Sequence, residues 1–393
     1  MARKTPTSLK PDTRLVTAGR DPDQQFGFVN PPVYHASTVL YATAEDQVAH
    51  RARYVYGRRG TPTSEALENA LKELEGPGCA GVALLPSGLA AIATALMSVT
   101  AAGDHILVSD SVYRPTRTYC DGILKRFGVE TTYYGPLIGN KIAGLFKPNT
   151  RAVFVEAPGS QSFEMQDIPA IAEVAHGKGA TVLMDNTWAT PLYFDAFAKG
   201  VDLSIQAGTK YIGGHSDIMF GTVSANKATL GKLKDTAGNS GLCAGPDDIY
   251  LALRGLRTLS VRLARHYESA LTVAQWLAAR PEVARVMHPA LPSDPGHAIW
   301  QRDFTGASGL FSIALKPTSD RAVYAFMNEL ALFGMGFSWG GYESLVILFD
   351  CAEYRTATQW SPGGHTLRFH IGLEDTGDLI ADLERGFAAM KRA

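Results

Sequence analysis

The chain has 393 residues. A single hydrophobic core rarely organises so long a chain, so we expect two or more packed domains. Apolar residues make up 46% and charged residues 19%, and the net charge of −1 excludes a broad attraction to nucleic acid or to an anionic membrane. No apolar segment resembles a secretory signal or approaches the roughly 18 residues that span a bilayer. The four scattered cysteines lack metal-ligand spacing, so we expect a cytoplasmic protein without a metal site.

The predicted elements of the first two thirds of the chain alternate between strands and helices. Residues 1–60, rich in Pro, Gly and Arg, are predicted to form an N-terminal arm. TSEALENALKELEG predicts a helix, GVALL a strand and LAAIATALMSV the next helix. The predicted strands HILVS, VETTYY, AVFVE, TVLMD and DLSIQ then alternate with helices near 115–127 and in DIPAIAEVAHGKG. This alternation indicates a mostly parallel sheet with helices on both faces, in a large domain of residues 61–250.

The last third, residues 251–393, predicts a second domain. DDIYLALRGLRTLSVRLARHYESALTVAQWLAARP indicates a long helix or a helix pair that leaves the large domain. HPALPSDPGH (288–297) is typical of a proline-rich surface loop. Beyond it, the predicted strands GLFSIALK, SLVILFD and LRFHIGL alternate with two amphipathic helices, which predicts a smaller α+β domain.

The carboxyl ends of the predicted strands carry polar side chains, and ligands of open α/β sheets bind beyond those ends. The turn PSGLAA exposes the N–H groups of Ser87, Gly88 and Leu89 at a helix N-terminus, which suits a phosphate. Any glycine-containing turn between a strand and a helix is the alternative interpretation. Asp185 ends an apolar strand and needs a partner such as a protonated ring nitrogen, unless it caps the following turn.

Lys210 follows Thr209 in SIQAGTKYIGG, between a predicted strand and a glycine-rich turn. A desolvated lysine loses its proton readily and becomes a nucleophile toward an aldehyde. The neighbouring Thr209 hydroxyl suits a phosphate oxygen. Taken alone, a surface charge is the commoner explanation for such a lysine.

Two further segments supply cationic groups. YVYGRRGTPT places Tyr56, Arg58 and Arg59 in one non-helical stretch, where adjacent guanidinium groups suit a phosphate or a carboxylate. Arg368, in LRFHIGLED, suits a substrate carboxylate. The alternative for Arg58 and Arg59 is a solvated surface charge, and the alternative for Arg368 is an interdomain salt bridge. Together, a phosphate turn, a strand-end carboxylate, an aldehyde-reactive lysine and a carboxylate-binding arginine indicate a pyridoxal 5'-phosphate (PLP) enzyme acting on an amino acid.

The same segments resemble the Cys/Met-metabolism family of PLP enzymes over nearly the whole chain. VDLSIQAGTKYIGGHSDIMFGT is similar to the family's cofactor-lysine signature, and YGRRGTPT, GDHILVSDSVYRPTR, RGLRTLSVRLARHYES and GHAIWQRDFTGASGLFS add long, independent matches. The resemblance implies fold type I, the PLP-dependent transferase-like α/β fold, with a large, mostly parallel seven-stranded sheet and a smaller α+β domain. It also implies a homotetramer built from two active dimers.

The resemblance assigns a role to each matching position. Lys210 is the Schiff-base lysine and proton carrier, and Tyr113 stacks on the cofactor ring. The catalytic positions are Lys210, Tyr113 and Asp185. The cofactor-binding positions are Tyr56, Arg58, Ser87, Gly88, Leu89, Tyr113, Asp185, Thr209 and Lys210, with Tyr56 and Arg58 contributed by the neighbouring subunit. The substrate-binding positions are Arg59, Ser338, Trp339 and Arg368, of which Arg368 holds the α-carboxylate.

Two segments favour the β-eliminating members of the family. EAPGSQ has Ser160 where γ-acting relatives usually carry Asn, and SWGGYES resembles the substrate loop of β-lyases. Ser87, where close β-lyases often carry Cys, departs from that pattern. The resemblance implies conversion of an amino-acid thioether, L-cystathionine, to homocysteine, pyruvate and ammonia in methionine biosynthesis. A γ-lyase, a γ-synthase and an alanine racemase are the alternatives, and the preference among cystathionine, cystine and cysteine is left open.

Overall fold

The computed structural model describes residues 9–393, so residues 1–8 of the predicted arm lie outside the described residues. The strands are β1 (Gly81–Leu85), β2 (His105–Ser109), β3 (Glu130–Tyr134), β4 (Thr150–Glu156), β5 (Thr181–Asp185), β6 (Leu203–Gln206), β7 (Gly221–Ala225), β8 (Val283–Met287), β9 (Leu310–Leu315), β10 (Leu345–Phe349) and β11 (Thr366–His370). The helices are α1 (Pro11–Thr17), α2 (Ala44–Val48), α3 (Pro62–Glu75), α4 (Gly88–Val99), α5 (Arg114–Tyr119), α6 (Ile168–Gly177), α7 (Thr190–Tyr193), α8 (Leu230–Asn239), α9 (Pro246–Leu256), α10 (Leu259–Ala278), α11 (His297–Asp303), α12 (Asp320–Glu329) and α13 (Thr376–Arg392).

The larger sheet has seven strands in the order β1-β7-β6-β5-β4-β2-β3. Neighbouring strands from β6 to β3 run parallel, whereas β7 is antiparallel to both of its neighbours. Val182, Leu183 and Met184 on β5 are all completely buried, because helices cover both faces of the sheet. The predicted α/β fold with a mostly parallel sheet is confirmed.

The helix α3 shows how the sequence sets the element boundaries. The Thr61 hydroxyl accepts a hydrogen bond from the Ser64 N–H at 3.2 Å, and the Ser64 hydroxyl accepts one from the Thr61 N–H at 2.8 Å. This reciprocal cap satisfies donors that a helix start leaves free. Gly76, with φ of 87°, ends the helix in a conformation that a side chain would disfavour.

The smaller sheet has four antiparallel strands in the order β10-β11-β9-β8 and shares one hydrophobic core with α10, α12 and α13. The predicted loop over residues 288–297 is present, with Pro292, Ser293 and Pro295 exposed, but its first four residues are buried and do not lie on the surface. His288 is completely buried, its Nδ1 accepts a hydrogen bond from the Ala290 N–H at 3.1 Å, and its ring packs on Trp188 and Phe311. A polar, proline-rich composition indicates a loop but does not say whether other elements cover it.

The predicted long helix is a pair, α9 and α10, and the predicted boundary at residue 250 falls within α9. Helix α9 packs against α3 beside the larger sheet, and α10 packs against the smaller one. We therefore propose the three-part division of the chain with its second boundary at the junction of these two helices. None of the helices in residues 9–393 is both long and apolar enough to cross a membrane.

Candidate active site

Two carboxyl groups lie side by side where β4 and β5 end. Glu156 and Asp185 are register partners on these parallel strands. The Asp185 Oδ1 accepts hydrogen bonds from the Thr187 N–H at 3.0 Å and the Thr187 hydroxyl at 2.5 Å. Burial raises the pKa of Asp185, while the bonds from Thr187 and the charge of Lys210 oppose that rise. Asp185 is therefore a desolvated carboxylate that a cationic N–H would stabilise.

Lys210 lies in the turn that follows β6, near Asp185. Its backbone N–H donates to the Ala207 carbonyl at 2.9 Å, and its carbonyl accepts from the Gly214 N–H at 2.7 Å. Burial lowers the pKa of Lys210 to about 8, the positive charge of Arg368 acts in the same direction, and Asp185 opposes both. An amine with this pKa is partly neutral near neutral pH, as a nucleophile or a base must be.

The turn between β1 and α4 lies in close contact with the segment that precedes Lys210. The Ser87 hydroxyl caps α4 by accepting from the Ala90 N–H at 3.1 Å, which leaves the N–H groups of Gly88 and Leu89 without an intrahelical acceptor. A Cβ on Gly88 would lie 2.6 Å from the Ala207 Cβ, so this turn presses against the segment that carries Lys210. Free N–H donors at the start of a twelve-residue helix suit a phosphate group.

Thr209 lies beside that turn but its hydroxyl already has protein partners. Its Oγ1 donates to the Phe220 carbonyl at 3.1 Å and accepts from the Phe220 N–H at 3.0 Å. These bonds fix the side chain at the edge of β7. The hydroxyl has a single O–H, so it could donate to a phosphate oxygen only by turning away from the Phe220 carbonyl.

Tyr113 and Glu156 form the side of the site that faces Asp185. The Tyr113 backbone N–H donates to the Glu156 Oε2 at 2.8 Å, and the Tyr113 side chain is 43% exposed, which leaves its ring available to a ligand. Burial raises the pKa of Tyr113, and the Asp185 and Glu156 charges add to that rise, so the phenol is neutral at neutral pH. Burial and the Asp185 charge also raise the pKa of Glu156 well above its ordinary value. Sequence reasoning missed Glu156, although it ends an apolar strand just as Asp185 does.

Arg368, Ser338 and Trp339 close the site from the smaller sheet. The Lys210 Nζ donates to the Ser338 Oγ at 2.5 Å and lies 5.4 Å from the centroid of the Trp339 ring. The Arg368 Nη2 donates to the Ser338 carbonyl at 3.0 Å. Ser338 has φ of 80° and Gly340 has φ of 86°, a backbone conformation that brings this loop against the Lys210 backbone.

The Arg368 guanidinium is the most informative group of the site. Burial lowers its pKa to about 10, and within residues 9–393 no carboxylate pairs with it. A desolvated arginine without an anion is unfavourable in the protein alone. A ligand carboxylate is the anion that this position lacks.

The arm residues lie apart from this group. The Arg58 Nη1 donates to the Gly238 carbonyl at 2.6 Å, and the Arg59 guanidinium packs against the same glycine. Among the described residues, no hydrogen bond or ion pair joins Tyr56, Arg58 or Arg59 to the strand-end residues. Their predicted place in a neighbouring subunit's site stays a prediction.

Comparisons with known proteins agree with this geometry. The model of the "Cys/Met metabolism PLP-dependent enzyme" family matches residues 12–388. The chain belongs to this family. A protein of Rhizobium johnstonii is 55% identical over 96% of both chains, and the "Cystathionine beta-lyase MetC" of Escherichia coli is 44% identical over 96% of this chain and 98% of its own. The crystal structure of metB from Corynebacterium glutamicum superposes with a TM-score of 0.90 at 31% identity, covering 98% of this chain and 99% of that one.

The residues present fit the PLP on which this family depends. The free N–H groups at the start of α4 suit its phosphate, and the desolvated Asp185 suits a protonated ring nitrogen. Lys210, with its lowered pKa, suits the aldehyde carbon. The chain is therefore a PLP-dependent enzyme of fold type I.

Proposed function

We propose that the chain cleaves a carbon–sulfur bond by β-elimination, converting L-cystathionine to homocysteine, pyruvate and ammonia in methionine biosynthesis. The observation that carries the proposal is the half-buried Arg368, which lacks an acidic partner and whose Nε lacks any hydrogen-bond partner, held next to the hydrogen-bonded Lys210 and Ser338. This arrangement places a carboxylate anchor beside a basic amine. The relative that is named a cystathionine β-lyase supports the choice of reaction.

Backbone N–H groups and a few side chains would hold the cofactor. The turn at Gly88 and Leu89, with Ser87 and Thr209, would hold the phosphate, and Asp185 would hold the ring nitrogen. When bound, PLP supplies an electron sink that stabilises negative charge at the Cα atom of an amino acid. A negative Asp185 keeps its ring-nitrogen partner protonated, which maintains that capacity.

The proton transfers fall to Lys210. Arg368 binds the α-carboxylate of the substrate and thereby orients the Cα–H bond toward the Nζ of Lys210. The neutral amine removes the Cα proton, and its Ser338 partner keeps the Nζ in place. The Cβ–S bond then breaks with its electron pair on sulfur, which gains a proton from Lys210 or from the neutral phenol of Tyr113. One water molecule hydrolyses the released three-carbon enamine to pyruvate and ammonia.

This distribution of groups favours β-elimination over γ-chemistry. A β-elimination needs no proton removal from Cβ, so a single mobile base suffices. Lys210 has a pKa of about 8 and can act as that base, whereas Tyr113 is neutral and Asp185 has an assigned cationic partner. Reprotonation of Cα on the opposite face would give racemisation, which we propose only as a side reaction.

The assembly and compartment are also proposals. We propose a homotetramer in which Tyr56 and Arg58 complete the phosphate site of a neighbouring subunit and Arg59 contacts its substrate. The exposed, apolar side chains of the arm support this interpretation, since Phe26 and Leu40 are 97% and 86% exposed in the isolated chain. We propose action in the cytoplasm, supported by the four cysteines, all of which are unpaired.

Incubation of the PLP-loaded enzyme with L-cystathionine tests the reaction. Homocysteine and pyruvate are the expected products, whereas cysteine and 2-oxobutyrate would overturn the proposal in favour of γ-elimination. Chiral chromatography of L-alanine after incubation shows whether racemisation exceeds lyase turnover, which would also overturn it.

The carboxylate anchor is tested by Arg368→Ala, which we expect to lower kcat/KM by roughly 100-fold, mainly through KM, because it removes a desolvated charge partner of the substrate. Arg285→Ala on β8 of the same sheet is the matched control, since Arg285 is exposed. Equal losses in both variants would contradict the anchor role.

A further inference from the structure

Residues 350–365 connect β10 to β11 of the smaller sheet. Part of this connection reaches across to the larger sheet, where it contacts the carboxylate of Asp110. Asp110 follows β2 directly and is completely buried. Its Oδ1 accepts a hydrogen bond from the Thr356 N–H at 3.1 Å. Its Oδ2 accepts from the N–H groups of Ala357 at 3.2 Å and Thr358 at 2.8 Å, and from the Thr358 hydroxyl at 2.6 Å. Three consecutive N–H groups thus converge on one buried carboxylate, which makes a rigid joint.

The charge of this joint is balanced within the protein. The Arg117 Nη2 donates to the Asp110 Oδ1 at 2.5 Å, and the Arg117 guanidinium lies 3.5 Å from the centroid of the Tyr133 ring. Burial acts to raise the pKa of Asp110, but its hydrogen bonds to Thr358, Thr356 and Ala357 outweigh burial and hold the pKa below its ordinary value. Asp110 is therefore an ionised and fully partnered anchor, not an incidental buried acid.

A second set of bonds holds the same connection to the segment after β4. Arg355 donates to the Ser162 hydroxyl at 2.5 Å and to the Glu164 carboxylate. The Tyr354 hydroxyl donates to the Gln161 Oε1 at 2.8 Å. The connection is therefore fixed to the ends of two neighbouring strands of the larger sheet, the strands that precede Tyr113 and end in Glu156.

We propose that Asp110 is a positioning residue that sets the separation between Arg368 on the smaller sheet and Tyr113 on the larger one. Tyr113 follows Asp110 by three residues, and Arg368 lies on β11, the strand into which the anchored connection leads. The joint thereby fixes where a bound α-carboxylate lies relative to Lys210. The effect of this separation on substrate binding rests on the proposed function, whereas the hydrogen bonds of the joint do not depend on it.

Asp110→Asn keeps the side-chain shape, removes the charge and turns an NH₂ group toward N–H donors. We expect the connection to loosen and the carboxylate anchor to shift, since small displacements of positioned groups reduce productive binding strongly. The expected result is a rise of about tenfold in the KM for L-cystathionine with kcat changed less than about threefold, and retained PLP. Glycine carries the α-amino and α-carboxylate groups of the substrate without its side chain. Its dissociation constant, followed by the visible absorption of the bound cofactor, should rise by the same factor.

Hydrogen exchange of the PLP-loaded enzyme without substrate reports the joint without any turnover. Amides of residues 350–365 should exchange faster in Asp110→Asn than in the wild type. The matched control is Asp202→Asn, because Asp202 accepts hydrogen bonds from the Val182 N–H at 2.8 Å and the Asn226 amide at 2.7 Å at the opposite, amino-terminal edge of the same sheet. That control should leave glycine affinity and exchange of 350–365 unchanged.

A milder variant, Thr358→Val, removes only the hydroxyl bond and should move KM and glycine affinity in the same direction by about threefold. It decides the matter if Asp110→Asn does not fold. Faster exchange with unchanged glycine affinity in either variant would overturn the positioning role. If cystathionine is not cleaved at all, glycine affinity and exchange still test the joint, so failure of the proposed reaction is distinguishable from failure of this inference.

Discussion

Two regions that the family resemblance assigns to one active site differ sharply in burial. The strand-end groups Asp185 and Lys210 are half-buried, and bonds from their own chain hold them. The arm residue Tyr56 is 46% exposed, and its neighbours Leu40 and Val48 are 86% and 81% exposed. The first region is organised within one chain. The second has no comparable packing in the described residues.

The difference in burial assigns the chemical steps to the strand-end groups and the assembly of subunits to the arm. Desolvation lowers the pKa of Lys210 and raises that of Asp185, so a single chain already creates the reactive protonation states. The arginines of the arm keep ordinary surface contacts, and large exposed apolar side chains mark an interface. We therefore expect substitutions of Lys210 and Asp185 to abolish chemistry, and substitutions in the arm to weaken cofactor retention and assembly.

The largest effect is expected for Lys210→Ala. Loss of the Nζ atom removes the nucleophile and the proposed base, so lyase turnover should fall by at least about 10³-fold, and the visible absorption band of the bound cofactor should change. Steady-state kinetics and absorption spectra measure both. Lys199→Ala is the control, since Lys199 forms an ion pair with Asp303 outside the site. Substantial turnover in folded Lys210→Ala would contradict the mechanism.

A smaller effect, on cofactor retention, is expected for Arg58→Ala. If Arg58 serves a neighbouring subunit, its loss should weaken PLP affinity by roughly tenfold or more, because it removes a charge-assisted contact to phosphate. Equilibrium dialysis measures the affinity, and sedimentation measures the assembly. Arg254→Ala, on an exposed face of α9, is the control. Unchanged affinity in Arg58→Ala would show that the arm stays with its own chain.

Most strands of the larger sheet can be predicted from apolar segments such as AVFVE and TVLMD. These segments contain few polar residues because both faces of the sheet are buried. The strand β7, GTVSA, escaped prediction because its small and hydroxylated residues lack a strong strand pattern, although all five are buried. The strand β8, VARVM, escaped because two of its five residues are exposed, which weakens its apolar pattern. Such strands depend on the pairing that surrounds them.

The candidate site was predictable where one residue type has few alternatives. A lysine in a strand-to-turn segment and an aspartate at a strand end indicated the chemistry once they were taken together with the phosphate turn. The side-by-side placement of Glu156 and Asp185 depends on strand order, which the local sequence does not contain. The same holds for Asp110 and Thr358, which are far apart in the chain and joined only by the tertiary fold.

The smallest effect on turnover is expected for Glu156→Gln. Burial and the Asp185 charge raise the pKa of Glu156 well above its ordinary value and so favour its neutral form, which glutamine resembles. Glutamine also accepts the hydrogen bond from the Tyr113 N–H. Turnover should change by less than about threefold, whereas Glu156→Ala, which leaves that N–H unpaired, should lose more.

The pH dependence of stability separates a neutral Glu156 from an ionised one. Above the ordinary pKa of a glutamate, the unfolded wild-type chain releases a proton that the folded chain retains, so the free energy of unfolding falls as the pH rises. Glu156→Gln lacks this proton exchange. Its stability relative to the wild type should therefore increase from pH 4 to pH 8 in chemical denaturation. A relative stability that decreases over this range would mean that Glu156 is ionised in the folded protein, and Asp185 would then share its site with a second negative charge.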